Sequence, residues 1–195
     1  MKVVGICGSP RREGNAEHLL RAALEPFRER GWETVAFLLC ERTVAPCRAC
    51  EICQAGGGCA IRDDMDALYE ALGECDALLV ATPVYYRNVS AQLKAVFDRC
   101  YAVRASQPLQ GKPGGAIAVG RGTGGGQGLA LAIIYNWLLS SGAICVPGEL
   151  NGVSAVADKP GDILSQPERL RQARVLGENV LHCAEALGGA RLLTR

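Results

Sequence analysis

Several features that mark common protein classes are missing from this sequence. Its 21 Lys and Arg residues are balanced by 20 Asp and Glu residues, and the absence of a basic stripe argues against a nucleic-acid partner. The longest apolar stretch, residues 129–139, is shorter than the ~20 residues of a membrane helix, and the N-terminus lacks a signal-peptide pattern. The two histidines, His18 and His182, fall in predicted helices away from the candidate ligand loops, so we interpret them as ordinary helix residues. These absences lead us to expect a cytoplasmic protein without membrane or nucleic-acid contacts.

The length and composition predict one domain. A chain of 195 residues can bury a core of ordinary size, and its 49% hydrophobic content argues against disorder. No internal repeat is visible, and low-complexity sequence is confined to glycine runs at 56–58 and 120–128. We therefore expect a single domain over residues 1–195.

Four of the ten cysteines fall within thirteen residues, in the spacing C-x2-C-x2-C-x5-C. They are Cys47, Cys50, Cys53 and Cys59, and a Gly-Gly-Gly hinge precedes the last of them. Four thiolates that converge on one point can hold an iron–sulfur cluster or a structural zinc ion. The first three match the compact run of bacterial ferredoxins, whereas zinc sites more often use two separated pairs. The pattern therefore favours an iron–sulfur cluster on the loop over residues 41–62, with zinc or free thiols as the alternatives.

The other six cysteines lie in or beside apolar stretches. A free cysteine packs as a small hydrophobic residue, and disulfides would need an oxidising compartment. We therefore expect reduced thiols packed in the core at Cys7, Cys40, Cys75, Cys100, Cys145 and Cys183.

Short apolar runs alternate with segments of helical spacing along the chain. The runs predict strands at 2–7, 32–40, 76–82, 115–119 and 143–147, and the helical segments lie at 15–30, 63–74, 90–103, 129–141 and 167–187. This alternation predicts an α/β fold with a doubly wound parallel sheet and helices on both faces. Five strands favour the flavodoxin-like order 2-1-3-4-5, in which ligands bind at the carboxyl ends of the strands. The cysteine-rich loop then follows strand 2.

The loop after the first predicted strand has the composition of a phosphate site. Residues 8–15 read GSPRREGN, and they lead into a helix whose first N–H groups and positive dipole end suit a phosphate. Ser9 and Asn15 add side-chain donors, and Arg11 adds a charged contact. The loop has neither the Walker A pattern nor the G-x-G-x-x-G fingerprint, so a single phosphate is favoured over a pyrophosphate. The alternative is a plain turn that ends in an Asn N-cap.

Two further loops at strand ends suit a planar ring. After the third strand, Pro83 stiffens the chain before Tyr85 and Tyr86, which offer flat surfaces to an aromatic ring. Asn88 can hydrogen-bond to atoms at the edge of such a ring. After the fourth strand, the glycines of residues 120–128 permit close approach of the backbone to a ligand. The alternatives are a Pro/Asn turn with half-buried tyrosines and a merely flexible glycine loop.

Five segments recur in the order of a known family: Gly8-Ser9-Pro10-Arg11, Gly14-Asn15, Asp63-Asp64-Met65, Thr82-Pro83-Val84-Tyr85-Tyr86 and Asp98-Arg99. Together they resemble the NADPH-dependent FMN reductase family, whereas the rest of the chain fits that family in general layout only. With the four-cysteine motif added, the chain is most similar to the iron–sulfur flavoproteins of anaerobic archaea and bacteria. The resemblance implies a flavodoxin-like fold that binds FMN and a [4Fe-4S] cluster, with NAD(P)H as a candidate substrate.

The resemblance also implies roles for individual residues. Ser9, Arg11 and Asn15 would hold the FMN phosphate. Ala16 stands beside them where many relatives carry Thr or Ser, so one hydroxyl donor is lost. The isoalloxazine ring would lie against the second and third loops, at Pro83, Val84, Tyr85, Tyr86, Asn88, Gly120 and Gly122. The four cysteines of the motif would ligate the cluster.

Three functional hypotheses follow. The leading one is an electron-transfer flavoprotein, because FMN takes up a two-electron hydride whereas a cluster passes single electrons. The alternative is an NAD(P)H-dependent FMN or quinone reductase without a functional cluster. The third is a zinc- or redox-sensing binding module, since a fold does not fix a function.

The sheet order also predicts an oligomer. The cysteine loop leaves strand 2, while the ring should lie between the ends of strands 3 and 4. At ~4.8 Å per strand step, roughly 10 Å or more separates these two places. We therefore expect a homodimer or homotetramer in which FMN and cluster meet across an interface. A ferredoxin-type protein is a candidate redox partner.

Overall fold

The computed structural model describes residues 1–124 and 126–188, so Gly125 of the third loop and residues 189–195 lie outside the described residues. The strands are β1 (Lys2–Cys7), β2 (Glu33–Leu38), β3 (Ala77–Pro83), β4 (Pro113–Gly120), β5 (Ile144–Cys145) and β6 (Val153–Val156). The helices are α1 (Asn15–Glu29), α2 (Met65–Glu74), α3 (Ala91–Arg99), α4 (Gly126–Ser140) and α5 (Pro167–Leu187). Short 3₁₀ segments lie at Leu39–Glu41, Ile52–Ala55, Cys100–Val103 and Asp162–Ser165.

The strands form a parallel sheet in the order β2-β1-β3-β4-β5, which confirms the predicted flavodoxin-like order. The pairing register places Val4 of β1 between Val35 of β2 and Leu78 of β3. Because the strands are parallel, their carboxyl ends share one edge of the sheet, and the loops that leave them can meet there.

The fifth position of the sheet holds two strands where the sequence predicted one. β5 pairs with Pro113 and Gly114 at the start of β4, and β6 pairs with residues 117–120 at its end. The single strand predicted at 143–147 corresponds to β5, and β6 was missed. β6 is only four residues long, so its apolar alternation is too short to stand out from the loop before it. β6 extends the fifth position to the carboxyl edge and brings a fourth loop to that edge.

Helices cover both faces of the sheet. α1 and α5 pack on one face, and α2, α3 and α4 pack on the other. Val3 and Val4 of β1 are fully buried on opposite faces, as the alternation of a strand requires. Gly177 of α5 lies against Ala23 of α1, where a Cβ would overlap the Ala23 carbonyl oxygen, so the close crossing of these helices needs a glycine. None of the described helices is both long and apolar enough to cross a lipid bilayer.

Of the six cysteines outside the motif, which were predicted to pack in the core, two are buried and four are half-buried. Cys7 and Cys75 are buried, and burial raises the pKa of the Cys7 thiol to about 12 and that of Cys75 to about 11. The half-buried members, whose pKa values are also raised by burial, are Cys40, Cys100, Cys145 and Cys183. Burial therefore keeps these six thiols protonated near neutral pH, as expected of packing residues.

Candidate functional site

A cavity of about 500 Å³ opens at the carboxyl edge of the sheet, where the sequence predicted a ligand site. The loops after β1, β3, β4 and β6 form its walls. The predicted contacts that line it are Ser9, Arg11, Asn15, Ala16, Pro83, Val84, Tyr85, Tyr86 and Gly120. Lining residues that the sequence analysis did not assign are Gly14, Val119, Arg121, Ala157, Asp158, Lys159 and Pro160. Its volume falls in the range of cofactor sites.

The first wall of this cavity is a tight turn that leads into α1. Ser9 is only 4% exposed. Its hydroxyl accepts the Arg11 N–H and donates to the Arg11 carbonyl oxygen, both at 3.1 Å. A Cβ at Gly14 would lie 2.9 Å from Ser9 Oγ, so a larger residue there would displace the hydroxyl. Asn15 and Ala16 begin α1 at the cavity, and the first N–H groups of a helix, with its positive dipole end, suit an anion. The exposed Arg11 side chain lines the same cavity.

The Asn15 side chain has a structural task that the sequence did not predict. Its Nδ2 donates to the Lys159 carbonyl oxygen at 2.8 Å, and its Oδ1 accepts the Ile163 N–H at 3.2 Å. Both halves of the amide therefore hold the loop after β6 against the first wall. Because the side chain is engaged in this way, the group of Asn15 that remains for the predicted phosphate contact is its backbone N–H at the start of α1.

The second wall is a tight turn with a strained backbone. Tyr85 and Asn88 exchange two backbone hydrogen bonds, at 3.0 and 3.1 Å. Between them, Tyr86 and Arg87 have φ values of 48° and 64°, the left-handed pair of a type I′ turn that usually needs glycine or asparagine. Asn88 Oδ1 accepts the Val89 N–H at 2.8 Å. Within the described parts of the chain, Asn88 is not among the residues that line the cavity.

The third wall depends on a buried glutamine. Gln127 is 5% exposed, and its Nε2 donates to the carbonyl oxygens of Gly122 at 2.9 Å and Ala155 at 3.2 Å. A Cβ at Gly120 would lie 2.7 Å from Gln127 Nε2, so the absence of a side chain allows this contact. Gly122 contributes its carbonyl to this anchor and is not among the described residues that line the cavity. Sequence reasoning assigned the glycines and missed Gln127.

The fourth wall follows β6 and was not predicted. Its lining residues are Ala157, Asp158, Lys159 and Pro160. Asp158 forms an ion pair with Arg121 of the third wall, so the two loops are linked across the cavity. The available signal was the alternating segment Val-Ser-Ala-Val followed by Ala-Asp-Lys-Pro-Gly, which is typical of a strand that ends in a turn.

The four cysteines of the motif line a second cavity, of about 330 Å³. Cys47 and Cys50 are exposed, and Cys53 and Cys59 are half-buried. The Ala49 N–H contacts Cys47 Sγ at an N–S distance of 3.4 Å. Among residues 1–124 and 126–188, no group of three or more His, Cys, Asp or Glu side chains is arranged to hold a metal ion. The structure thus brings the four thiols to one cavity without gathering them around one point.

A buried ion pair ties the two ends of the cysteine loop together. Arg99 donates to both carboxylate oxygens of Asp63, at 2.8 and 3.0 Å, and their side chains are 0% and 7% exposed. Arg99 also donates to the carbonyl oxygens of Ala45 at 2.9 Å and Ile61 at 3.1 Å. Ala45 lies two residues before Cys47 and Ile61 two residues after Cys59. One guanidinium group therefore joins both ends of the motif.

The same aspartates organise the start of α2. Asp63 and Asp64 directly precede α2. Asp63 Oδ1 accepts the Met65 N–H at 3.1 Å, and Asp64 instead accepts the Thr43 N–H at 2.6 Å. Burial by itself would raise the pKa of the Asp63 carboxyl. Hydrogen bonds from Arg99 and from the N–H groups of Ala45 and Met65 outweigh that effect and hold this pKa below its ordinary value.

Comparison with known proteins assigns the chain to a family. The family model for NADPH-dependent FMN reductases matches residues 1–157. The chain belongs to this family. An iron–sulfur flavoprotein of Methanocaldococcus jannaschii is 40% identical over 184 residues, which cover 92% of this chain and 95% of that protein. An iron–sulfur flavoprotein of Methanosarcina thermophila is 44% identical over 147 residues, which cover 75% of this chain and 77% of that protein.

Solved structures agree with the fold of this FMN reductase family member. A crystal structure of RosB with bound 8-demethyl-8-formylriboflavin-5'-phosphate has a TM-score of 0.77 at 17% identity, and the match covers 100% of this chain and 82% of that one. The family and fold predicted from the sequence are confirmed. As a member of the family, the protein is an FMN-dependent oxidoreductase.

Proposed function

We propose that this FMN reductase family member is an iron–sulfur flavoprotein, which carries electrons between a reductant and an acceptor through FMN and a [4Fe-4S] cluster. The observation that carries the proposal is the single cavity of about 330 Å³ that all four motif cysteines line. The relatives at 40% and 44% identity are named as iron–sulfur flavoproteins. Bound FMN supplies hydride uptake and release of single electrons, and a cluster supplies one-electron transfer.

The larger cavity offers the groups that FMN needs. The N-terminus of α1 and the Arg11 guanidinium would hold the phosphate, with Ala16 supplying a backbone N–H but no hydroxyl. Tyr85, which is 41% exposed, and Val84 offer flat and apolar surface to the ring. The fold neighbour RosB holds a riboflavin phosphate derivative, which supports a flavin phosphate as the occupant.

The smaller cavity fits a cluster by its donor set. Four cysteine thiolates are the usual ligands of a [4Fe-4S] cluster, and two of the four thiols are exposed and open to iron. Gly56 and Gly58, with φ values of 84° and 68°, allow the chain to turn between the third and fourth cysteines. The loop would have to close by a further movement of the side chains on the metal, as is common where metal binding and local folding are coupled.

We propose a homodimer or homotetramer, in which the FMN of one subunit faces the cluster of another. The two cavities have no lining residue in common within the described parts of the chain, so two subunits offer a direct way to bring them together. α4 carries no charged residue, and its Leu129 and Leu139 are 50% and 62% exposed, as expected of a helix that another chain covers. NAD(P)H as electron donor, a ferredoxin-type partner and a cytoplasmic location complete the proposal.

Anaerobic purification followed by iron, zinc and flavin analysis tests this function. We expect one FMN and about four irons per chain, in a dimer or tetramer by light scattering. The competing function is a reductase of FMN or quinone without a functional cluster. A yellow, iron-free protein that oxidises NAD(P)H rapidly would support that reductase. Zinc without flavin would support a binding module, and a monomer that holds both groups would contradict the interface.

A further inference from the structure

Arg99 is placed as a junction between three parts of the chain. It ends α3, yet its side chain is completely buried beneath the cysteine loop and lines the cysteine cavity. Its two terminal nitrogens make four hydrogen bonds: two to Asp63 and one each to Ala45 and Ile61. Tyr69 of α2 donates to the Arg99 carbonyl oxygen at 2.9 Å, so the backbone of this residue is held as well.

Asp63 completes the junction from the other side. Its carboxylate accepts two hydrogen bonds from Arg99, one from the Ala45 N–H at 2.9 Å and one from the Met65 N–H at 3.1 Å. The carboxylate is thereby saturated, because two oxygens offer about four lone-pair positions. Such a pair holds its partners in one geometry, whereas removal of either member leaves a buried charge without compensation.

One donor of the junction has no partner. Arg99 Nε is the only buried side-chain nitrogen or oxygen among the described residues without a hydrogen bond. Buried donors are nearly always satisfied in folded proteins, so an exception calls for an explanation. A sulfur-rich anionic group in the cavity that Arg99 lines would supply both an acceptor and a negative charge.

We propose that Arg99 is a positioning residue for the cluster. Together with its bidentate pair to Asp63, the Arg99 side chain holds Ala45 and Ile61, which flank the cysteine motif, at a fixed separation before iron binds. We call this arrangement the clamp. Its Nε–H, which has no partner in the metal-free chain, would then be available to donate to a sulfur of the assembled site. The first half of the inference, the clamp, concerns the metal-free chain alone. The second half, the Nε–H contact to a cluster sulfur, rests on the proposed function. An arginine is required because lysine lacks the planar fork that makes four such contacts at once.

Trypsin cleavage of the full-length, metal-free protein tests the first half. Arg48 is exposed inside the motif, so cleavage after it reports opening of the loop. In Arg99→Lys we expect the cleavage rate to rise at least tenfold. Arg62→Lys is the matched control, because Arg62 is the last residue of the loop but its side chain is 73% exposed and pairs with Asp66. The cleavage rate of this variant should equal that of the wild type. Wild-type cleavage in Arg99→Lys would overturn the clamp.

Asp63→Asn provides a second variant in case Arg99→Lys does not fold. Asparagine has nearly the shape of aspartate but carries no charge and accepts through one oxygen only. We expect faster cleavage after Arg48 here too, with FMN affinity unchanged, because neither Asp63 nor Arg99 lines the FMN cavity. Slow, wild-type cleavage in a folded Asp63→Asn protein would also overturn the clamp.

The reduction potential of the reconstituted cluster tests the second half. Hydrogen bonds to cluster sulfurs raise the potential, so Arg99→Lys should give a lower value than the wild type and Arg62→Lys an unchanged one. A cluster in Arg99→Lys at the wild-type potential would overturn the Nε–H contact. A wild-type protein that takes up no iron would refute the proposed function, and the cleavage result would still decide the clamp independently.

Discussion

Replacing Arg87 with glycine should stabilise the fold, although it removes a whole side chain. Tyr86 and Arg87 occupy the two central positions of the turn at the second wall, and Arg87 has a φ of 64°. A left-handed conformation costs an L-residue roughly 1–2 kcal/mol. Glycine avoids that cost but loses roughly 0.5–1 kcal/mol more backbone entropy on folding. The free energy of unfolding should therefore rise by about 0.5–1 kcal/mol.

Thermal unfolding of the flavin-free protein measures this change. For a chain of this size, 1 kcal/mol corresponds to about 2–4 °C, so the Tm of Arg87→Gly should rise by about 1–4 °C. Arg104→Gly is the matched control, because Arg104 is also exposed but has a φ of −59°; its stability should fall by about 0.5–1 kcal/mol. If Arg87→Gly lowered the Tm as much as Arg104→Gly, the turn would not be strained in the way described.

The remaining predictions concern the two cavities and the loop junction. Arg11→Ala should weaken FMN binding by about 1.5–3 kcal/mol, roughly 10- to 150-fold in Kd, because a charge-assisted phosphate contact is lost; unchanged affinity in a fluorescence titration would argue against this contact. Cys50→Ala should abolish iron uptake and retain FMN, whereas Cys183→Ala should retain both; a normal iron content in Cys50→Ala would contradict its role as ligand. The low pKa of Asp63 stabilises the fold fully above the unfolded pKa of about 3.9, and this contribution is lost as pH falls through the lower folded pKa. Urea unfolding should therefore show a stability gap between wild type and Asp63→Asn that is constant above about pH 5 and narrows below about pH 4; a gap independent of pH would refute the assignment.

Elements with strong local signals were predictable from the sequence. β1 and α5 have the bounds that the sequence predicted, 2–7 and 167–187, because Gly-Ser-Pro ends the first and a proline begins the second. α4 starts at Gly126, before the predicted residue 129. Its first turn contains two glycines, which have low helix propensity, and tertiary packing overrides that preference: a Cβ at Gly126 would lie 2.5 Å from Val84 Cγ1.

Contacts between distant residues were not predictable from local patterns. The sequence indicated the cysteine motif and the phosphate loop because their chemistry is concentrated in a few adjacent residues. The Asp63–Arg99 pair joins residues 36 positions apart, and Gln127 reaches Ala155 across 28 positions. The pairing of Asp63 with Arg99 was not predicted, since neither residue has a local sequence pattern that identifies its partner. The hydrogen bond from Asn15 to Lys159 was not predictable for the same reason. Lys159 lies in the loop after β6, and the sequence did not predict that strand.

The most direct test of the central claim is an EPR spectrum of the anaerobically isolated protein, recorded before and after addition of dithionite. We expect an EPR-silent oxidised cluster and, after reduction, the signal of a paramagnetic [4Fe-4S] centre, together with bleaching of the flavin absorbance. If the flavin bleached and no iron signal appeared at any stage in a protein protected from oxygen throughout, the four thiols would not be cluster ligands.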